Sequence, residues 1–495
     1  MAESYQFAFI FLLILTTAVE LFLGQRQKNF VDKNKKKVPA AFNKIIKLAD
    51  HKKAADYTVT KINFNSIELI FGAIILYFLT LGGGINLLNN IISNNFDLAL
   101  EFYSLFVAIA LIICLLFLVK FLCTKLIQKI PNIFQKFIRQ SNTHKKTIFF
   151  LFLLVTLSFL IVSGVINEMY NFFSTHFDIA LLNGALVITS VFVALHLISI
   201  PSGIFQTFGI ETKYGFNKVT PKLFLEDQIK YLFLLILFSV IFSFAALWIL
   251  TELEANWWLW LWIFLSIFLI AVAAILPDLA RIFDTYTPLE DKTLKSKIEK
   301  LLKKCGFKSS GLFVKNGSLR STHGNAFFGG FGKTKKIIFF DTLLEKLNNK
   351  EIEAVIAHEL GHFKRNHVKK LLLIQIILFF FIFYIFGDLK NNQSFYNGLG
   401  IEVLSNTNFL ILLMLVLIPF VMFFVGPFFS KLQRKYEFEA DEYACEFAKP
   451  SDLKQSLIKL YRDNASTLTP DPLYSAFYHS HPPASIRIQA IDKNK

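Results

Sequence analysis

The chain is 495 residues long, 54% hydrophobic and only 18% charged, with 58 phenylalanines and a formal net charge of +16. That balance lies far outside the usage of a soluble globular domain and points to a polytopic membrane protein. The positive charge does not indicate nucleic acid: the lysines cluster beside apolar spans, where anionic headgroups and topology account for them. The four cysteines, Cys114, Cys123, Cys305 and Cys445, form no C-x-x-C pair and imply neither a disulfide framework nor a cysteine metal site.

Runs long enough to cross about 30 Å of hydrocarbon lie at Gln6–Leu23, Ser66–Leu88, Phe102–Cys123, Thr147–Ile166, Asp178–Ile200, Ile229–Leu250, Trp257–Ile275, Leu371–Phe386 and Phe409–Phe429. The first lacks a basic leader and a small-residue cleavage site, so it reads as a retained span. The loops after the first and third runs are rich in Lys and Arg, whereas Ile91–Glu101, Met169–Phe177 and Thr251–Asn256 contain neither. The positive-inside rule therefore places the basic loops and the C-terminus on the cytosolic side. Glu20 and Glu68 are expected near an interface, reaching into headgroups, with a water-filled internal cavity as the alternative. Gly82, Gly83 and Gly84 mark either a close helix contact or a break in the second span.

Three composition changes divide the chain. Residues 1–276 form a transmembrane region with about seven spans, and 277–370 form a mixed α+β unit ending in the motif below. Residues 371–430 hold the last two spans, and 431–495 a polar C-terminal segment. Within the α+β unit, DKTLKSKIEKLLKKCGF reads as an amphipathic helix ended by Gly306, GLFVKNGSLR as a strand with an Asn316-Gly317 turn, and KKIIFFDTLL as a second strand. The fold class is thus mainly α, with a small α+β unit on the cytosolic side.

The α+β unit runs into HELGH, His358–His362, inside a stretch whose Ile352, Val355, Ile356 and Leu360 recur at helical spacing. Asn348 is the expected N-cap, with Glu351 three positions on. Histidines four apart on one helix converge on a single Zn²⁺, and Glu359 then faces its water as general base. Gly361 costs about 1 kcal/mol in a helix, which predicts a crowded neighbour. A catalytic zinc needs a third ligand, and Glu437 in EFEAD is expected to supply it. Asp441, one turn on, would hold a ligand histidine by its other ring nitrogen. The last segment, AFYHSHPPASIRIQAI, offers His481 as an oxyanion donor with Arg487 in support. His367, five residues past His362, reads as surface or interface, and Glu439 and Glu442 as solvated surface.

Further blocks accompany HELGH: QRQ at Gln25–Gln27, TKYGFNKVT at Thr212–Thr220 preceded by Glu211, and TYTPLED at Thr285–Asp291. HGNAFFGGFG follows at His323–Gly332, KKIIFFDTLL at Lys335–Leu344, EFEAD at Glu437–Asp441 and SHPPASIRI at Ser480–Ile488. In this order the blocks resemble the integral-membrane CAAX prenyl protease 1 family of zinc metalloproteases. The resemblance implies a ring of transmembrane helices around a wet chamber, with one Zn²⁺ per chain facing the cytosol. It also implies His358, His362 and Glu437 as ligands, Glu359 as base and His481 as transition-state donor. Asn325, Ala326 and Phe327 would then bind an extended substrate along an edge strand.

The family has seven spans, so the pair within 102–168 is expected as an insertion outside the ring. The implied activity is endoproteolysis near the C-terminus of prenylated C-a-a-X peptides. The partners are the bilayer, in a bacterial inner membrane or the endoplasmic reticulum, and a peptide or protein substrate, prenylated or not. A membrane quality-control protease with no prenyl requirement, and a non-enzymatic transporter or scaffold, are the alternatives.

Overall fold

The computed structural model describes residues 1–86, 180–253, 256–329, 336–401 and 407–493. The two apolar runs within 102–168, and their expected place outside the helix ring, lie outside the described residues. Among the described residues, seven helices are long and apolar enough to cross a membrane. Five precede the mixed unit: α1 (Ala2–Asn34), α2 (Leu48–Leu79), α3 (Ala180–Ile204), α4 (Pro221–Glu252) and α5 (Trp257–Leu279).

Several helices outrun their hydrocarbon segments. The apolar run at Gln6–Leu23 sits in a 33-residue helix, about 50 Å long, so its basic end extends beyond the bilayer core. The glycines after α2 form a break rather than a contact: the helix stops at Leu79, and Gly83 takes φ +81°, the left-handed region. In α3, Pro201 removes one rung of the ladder, and the chain continues as a π-turn segment, Phe205–Glu211. Glu20 lines an apolar cavity of about 420 Å³ between α1, α2, α3 and the last long helix. Glu68 is exposed and accepts a hydrogen bond from Ser202.

The mixed unit contains β1 (Tyr286–Pro288), α6 (Lys292–Lys304), β2 (Gly311–Lys315), β3 (Ala326–Gly329) and β4 (Lys336–Phe340). Asp291 caps α6 by accepting from the Thr293 and Leu294 amides, and Gly306 ends it at φ +62°. The strands form one sheet in the order β1-β2-β4-β3, which leaves β3 at an edge. β3 runs antiparallel to β4 with Ala326 opposite Phe339.

The motif helix α7 (Asn349–Lys364) begins on a complete capping box: the Asn348 side chain accepts from the Glu351 amide, and Glu351 accepts from the Asn348 amide. The sixth and seventh apolar helices are α8 (His367–Leu389) and α9 (Thr407–Phe447). The latter is 41 residues long, about 60 Å, and carries Glu437 and Asp441 on the extension of a membrane-crossing rod. Three short helices close the chain: α10 (Pro450–Asp463), α11 (Pro472–Tyr478) and α12 (Ala484–Lys493).

Two cores hold this arrangement. One lies among the apolar helices, with Leu247, Trp257, Phe409 and Leu413 each 2% exposed or less. The other joins the sheet and α6 to α7 and α9 through Ile298, Leu301, Ile337, Phe339, Ile356 and Leu360 against Tyr443 and Ala444. The close approach of α7 and α9 explains Gly361. A Cβ there would lie 2.9 Å from the Ala440 Cα and 3.1 Å from the Tyr443 Cβ.

Candidate metal centre and peptidase site

His358, His362 and Glu437 each direct one ligand atom to a common point, all three atoms lying within 4.8 Å of one another. The individual spacings test whether they fit one ion. The Nε2 atoms of His358 and His362 are 3.2 Å apart. Glu437 Oε1 is 3.2 Å from His362 Nε2, and Oε2 is 3.6 Å from His358 Nε2. Tetrahedral bonds of about 2.0–2.1 Å put ligand atoms about 3.3 Å apart, and the spacings of 3.2–3.6 Å, with Glu437 turning a different oxygen to each histidine, lie close to what one such ion requires. Glu437 Oε2 is also 2.9 Å from Arg487 Nη1 and from His481 Nδ1, but is aligned for a hydrogen bond with neither.

The ligand histidines are backed differently. His358 Nδ1 is 2.9 Å from Asp441 Oδ1, the carboxylate–histidine arrangement that fixes a tautomer. Behind His362 stands another histidine: its Nδ1 is 3.0 Å from His367 Nδ1, and His367 Nε2 is 3.0 Å from Glu439 Oε2. His367 is 2% exposed and stacks on Tyr436 at 4.0 Å, so its placement at the surface is corrected. Glu439 is corrected likewise, because it is committed to His367 and Lys435. Glu442 is exposed, as expected of a solvated residue.

Helical spacing hid His367. On an uninterrupted helix a residue five positions on turns away from His362, but Asn366 adopts φ +56°, ends the first helix and swings His367 back. The usable signal was an asparagine, tolerant of that conformation, immediately before an apolar run.

Glu359 lines a second cavity, about 350 Å³ in volume, whose wall includes Phe327, His362, His367, Glu437, Ser480 and His481. Burial raises its carboxyl above the ordinary range, and the nearby ligand histidines pull it partway back. Of the residues expected to hold substrate, Phe327 lines this cavity, Ala326 is buried, and Asn325 is exposed just before β3. Asn325 pairs its carbonyl with the Phe340 amide at 3.0 Å.

The Arg487 side chain is 6% exposed; its guanidinium binds Asp441 bidentately at 2.8 and 2.6 Å and lies against Glu437. Burial opposes its charge, but Asp441 and Glu437 outweigh that and hold it firmly protonated. Its donors are therefore spent on the acidic groups around the metal position.

The remaining sequence blocks tie these parts together. Gln27 accepts from the Asp471 amide at 2.5 Å and Arg26 binds the Asp471 carboxylate, joining the end of α1 to the start of α11, ahead of His481. The Phe216 carbonyl accepts from Thr322, and the Lys218 amide donates to Arg320, holding the loop that leads into β3.

Comparison with known proteins agrees with this architecture. Residues 288–495 match the model of peptidase family M48, and residues 27–140 and 139–284 match a CAAX prenyl protease N-terminal model described as five membrane helices. A CAAX prenyl protease 1 homolog from Arabidopsis thaliana is 36% identical over 295 residues, covering 59% of this chain and 69% of that protein. CAAX prenyl protease 1 from Saccharomyces cerevisiae is 34% identical over 312 residues, 60% and 69% of the two chains. The Homo sapiens homolog is 30% identical over 352 residues, covering 63% and 73%. The crystal structure of S. mikatae Ste24p shares the fold, with a TM-score of 0.74 over 99% of both chains at 24% identity. A multi-pass membrane metalloendopeptidase, the chain belongs to the CAAX prenyl protease 1 family, its C-terminal part being a peptidase family M48 domain.

Proposed function

We propose that the protein is a zinc endopeptidase that cleaves near the C-terminus of prenylated C-a-a-X polypeptides, with its site opening to the cytosol. The observation that carries the reading is the grouping of His358, His362 and Glu437, their ligand atoms within 4.8 Å of one another, beside a half-buried Glu359 that shares a cavity wall with Phe327 of the edge strand. Two neutral imidazoles and a carboxylate suit Zn²⁺ in an open site. A zinc ion bound there supplies Lewis-acid polarisation of the scissile carbonyl and acidifies the attacking water.

The chain's own groups do the rest. Glu359, raised by burial toward the operating range, takes the proton from water and passes it to the departing amine. His481, which lines the cavity with Nδ1 2.9 Å from Glu437, serves as the donor for the oxyanion. β3 supplies backbone amides and carbonyls for an extended peptide. Asp441, Arg487 and His367 act as positioning residues. Cytosolic orientation rests on the basic loops and on α9, which carries the ligands beyond its apolar span.

The test is zinc content together with cleavage of a fluorogenic peptide, with and without a farnesylated C-a-a-X cysteine, for wild type and Glu359→Gln. Zinc in both proteins, with cleavage only by wild type and only of the farnesylated peptide, is the expected result. Equal cleavage of both peptides would move the substrate class to membrane quality control. Wild type without zinc would overturn the mechanism.

A further inference from the structure

A third cavity, of about 500 Å³, lies at the other end of the edge strand. Lys47, Lys53, Lys346 and Arg462 line it against only two carboxylates, Asp50 and Asp463. Asp463 is already bound to Arg462 at 2.7 Å. The cavity is built onto the approach to β3. Lys346 donates to the Thr322 carbonyl. Asn464, next to the lining residue Asp463, grips Gly324 at both its amide (3.1 Å) and its carbonyl (3.3 Å). The Phe216 ring forms part of the wall, with the Lys53 ammonium 4.7 Å from its centroid.

We propose that this basic cavity receives the free α-carboxylate at the substrate's C-terminus and so sets the cut a fixed number of residues from the chain end. The proposal rests on the peptidase reading above and adds a recognition site to it. A peptide adding to β3 in antiparallel sense runs opposite to Ala326–Gly329, so its C-terminus passes Asn325 and arrives at Thr322. Charge favours that polarity: four cations line the cavity at this end, whereas among the described residues the catalytic cavity's wall contributes one lysine, Lys369, and Lys336 opposite Gly329 is bound to Asp278.

The lengths agree. From Phe327, in the wall of the catalytic cavity, back to Thr322 the chain spans at most about 17 Å. Three residues beyond the scissile bond reach about 10 Å, and a lysine or arginine side chain spans the remainder. A carboxylate met by two half-buried cations, Lys346 and Arg462, and two exposed ones, Lys47 and Lys53, is held by charge-assisted hydrogen bonds, which a C-terminal amide cannot reproduce.

The test uses the full-length, zinc-loaded protein in detergent. Fluorescent peptides of identical sequence, ending in a free acid or an amide, are titrated into Glu359→Gln, which binds without cutting, and cleavage is followed in parallel with Glu359 intact. The acid peptide is expected to bind at least about tenfold more tightly than the amide, the scale of one charge-assisted contact. Adding Lys53→Gln and Arg462→Gln should abolish that ratio while leaving affinity for the amide unchanged. A peptide lengthened by one residue at its C-terminus should be cut one residue further on. Equal binding of acid and amide, with both cleaved, would overturn the carboxylate site and leave the peptidase reading standing. Failure to cleave either peptide would overturn both. Loss of affinity for acid and amide alike in the double variant would mean that the cations support the fold and do not read the terminus.

Discussion

The Nδ1 atoms of His362 and His367 face each other at 3.0 Å, and the far nitrogen of His367 meets Glu439 at 3.0 Å. This relation fixes two tautomers. For His362 to offer Nε2 to a metal, its Nδ1 must carry the proton and donate it, so His367 accepts at Nδ1 and donates from Nε2 to Glu439. His367→Ala would leave the His362 ring without a partner, and the expected outcome is about 10- to 100-fold weaker zinc affinity, the usual cost of losing such an outer partner. Chelator competition measures it directly. His367→Gln, which retains an acceptor, should recover part of the loss, and affinity unchanged in His367→Ala would refute the arrangement.

Gly361 tests the contact between α7 and α9. Replacing glycine by alanine in a helix normally gains about 1 kcal/mol. Here the new Cβ would press on the Ala440 backbone, 2.9 Å from its Cα and 3.1 Å from its carbonyl oxygen, and backbone cannot rotate aside. Overpacking of about 1–3 kcal/mol is expected to win. Because the displaced helix carries Glu437, Gly361→Ala should lower both the melting temperature and zinc occupancy. A melting temperature above wild type would show that the helices separate freely.

The crowding at that glycine is legible in the sequence, as are the capped motif helix, the amphipathic α6 and seven of the apolar runs, because each depends on local spacing or on a cost with only one economical explanation. The same local reasoning misses His367, where a left-handed Asn366 overrides helical periodicity, and Glu439, whose partner is 72 residues away. It also places Arg487 only in support of His481. Nothing in SHPPASIRI reveals that Asp441 and Glu437 claim that guanidinium, since long-range ion pairs leave no periodic trace. The cavity beside Glu20 is equally hidden from local reasoning, because only the packing of four helices creates it.

Glu359 carries a pH signature. Burial raises its folded-state carboxyl above the unfolded value near 4.5, so folding favours the protonated form. The sign follows from linkage: this group's stabilising contribution is complete below the unfolded value and is lost as pH rises through the higher folded one. In protein stripped of metal by chelation, Glu359→Gln should therefore be more thermostable than wild type at neutral pH, and the two should converge in acid. Melting curves of both proteins across that range test it, and a parallel offset at every pH would assign the difference to packing.

Arg487 provides the strongest separation between positioning and chemistry. Removing it in Arg487→Met leaves Asp441 and Glu437, 2% and 4% exposed, without their shared cation. Breaking a buried pair in this way costs about 3–5 kcal/mol. The loss should be largest without zinc and smaller with it, because a divalent ion restores positive charge beside Glu437 and, through His358, beside Asp441. If Arg487 acts only by positioning, kcat/KM per zinc-loaded molecule should fall far less than zinc affinity does. Zinc affinity at the wild-type level, accompanied by a collapse of kcat, would instead return the guanidinium to the reacting atoms.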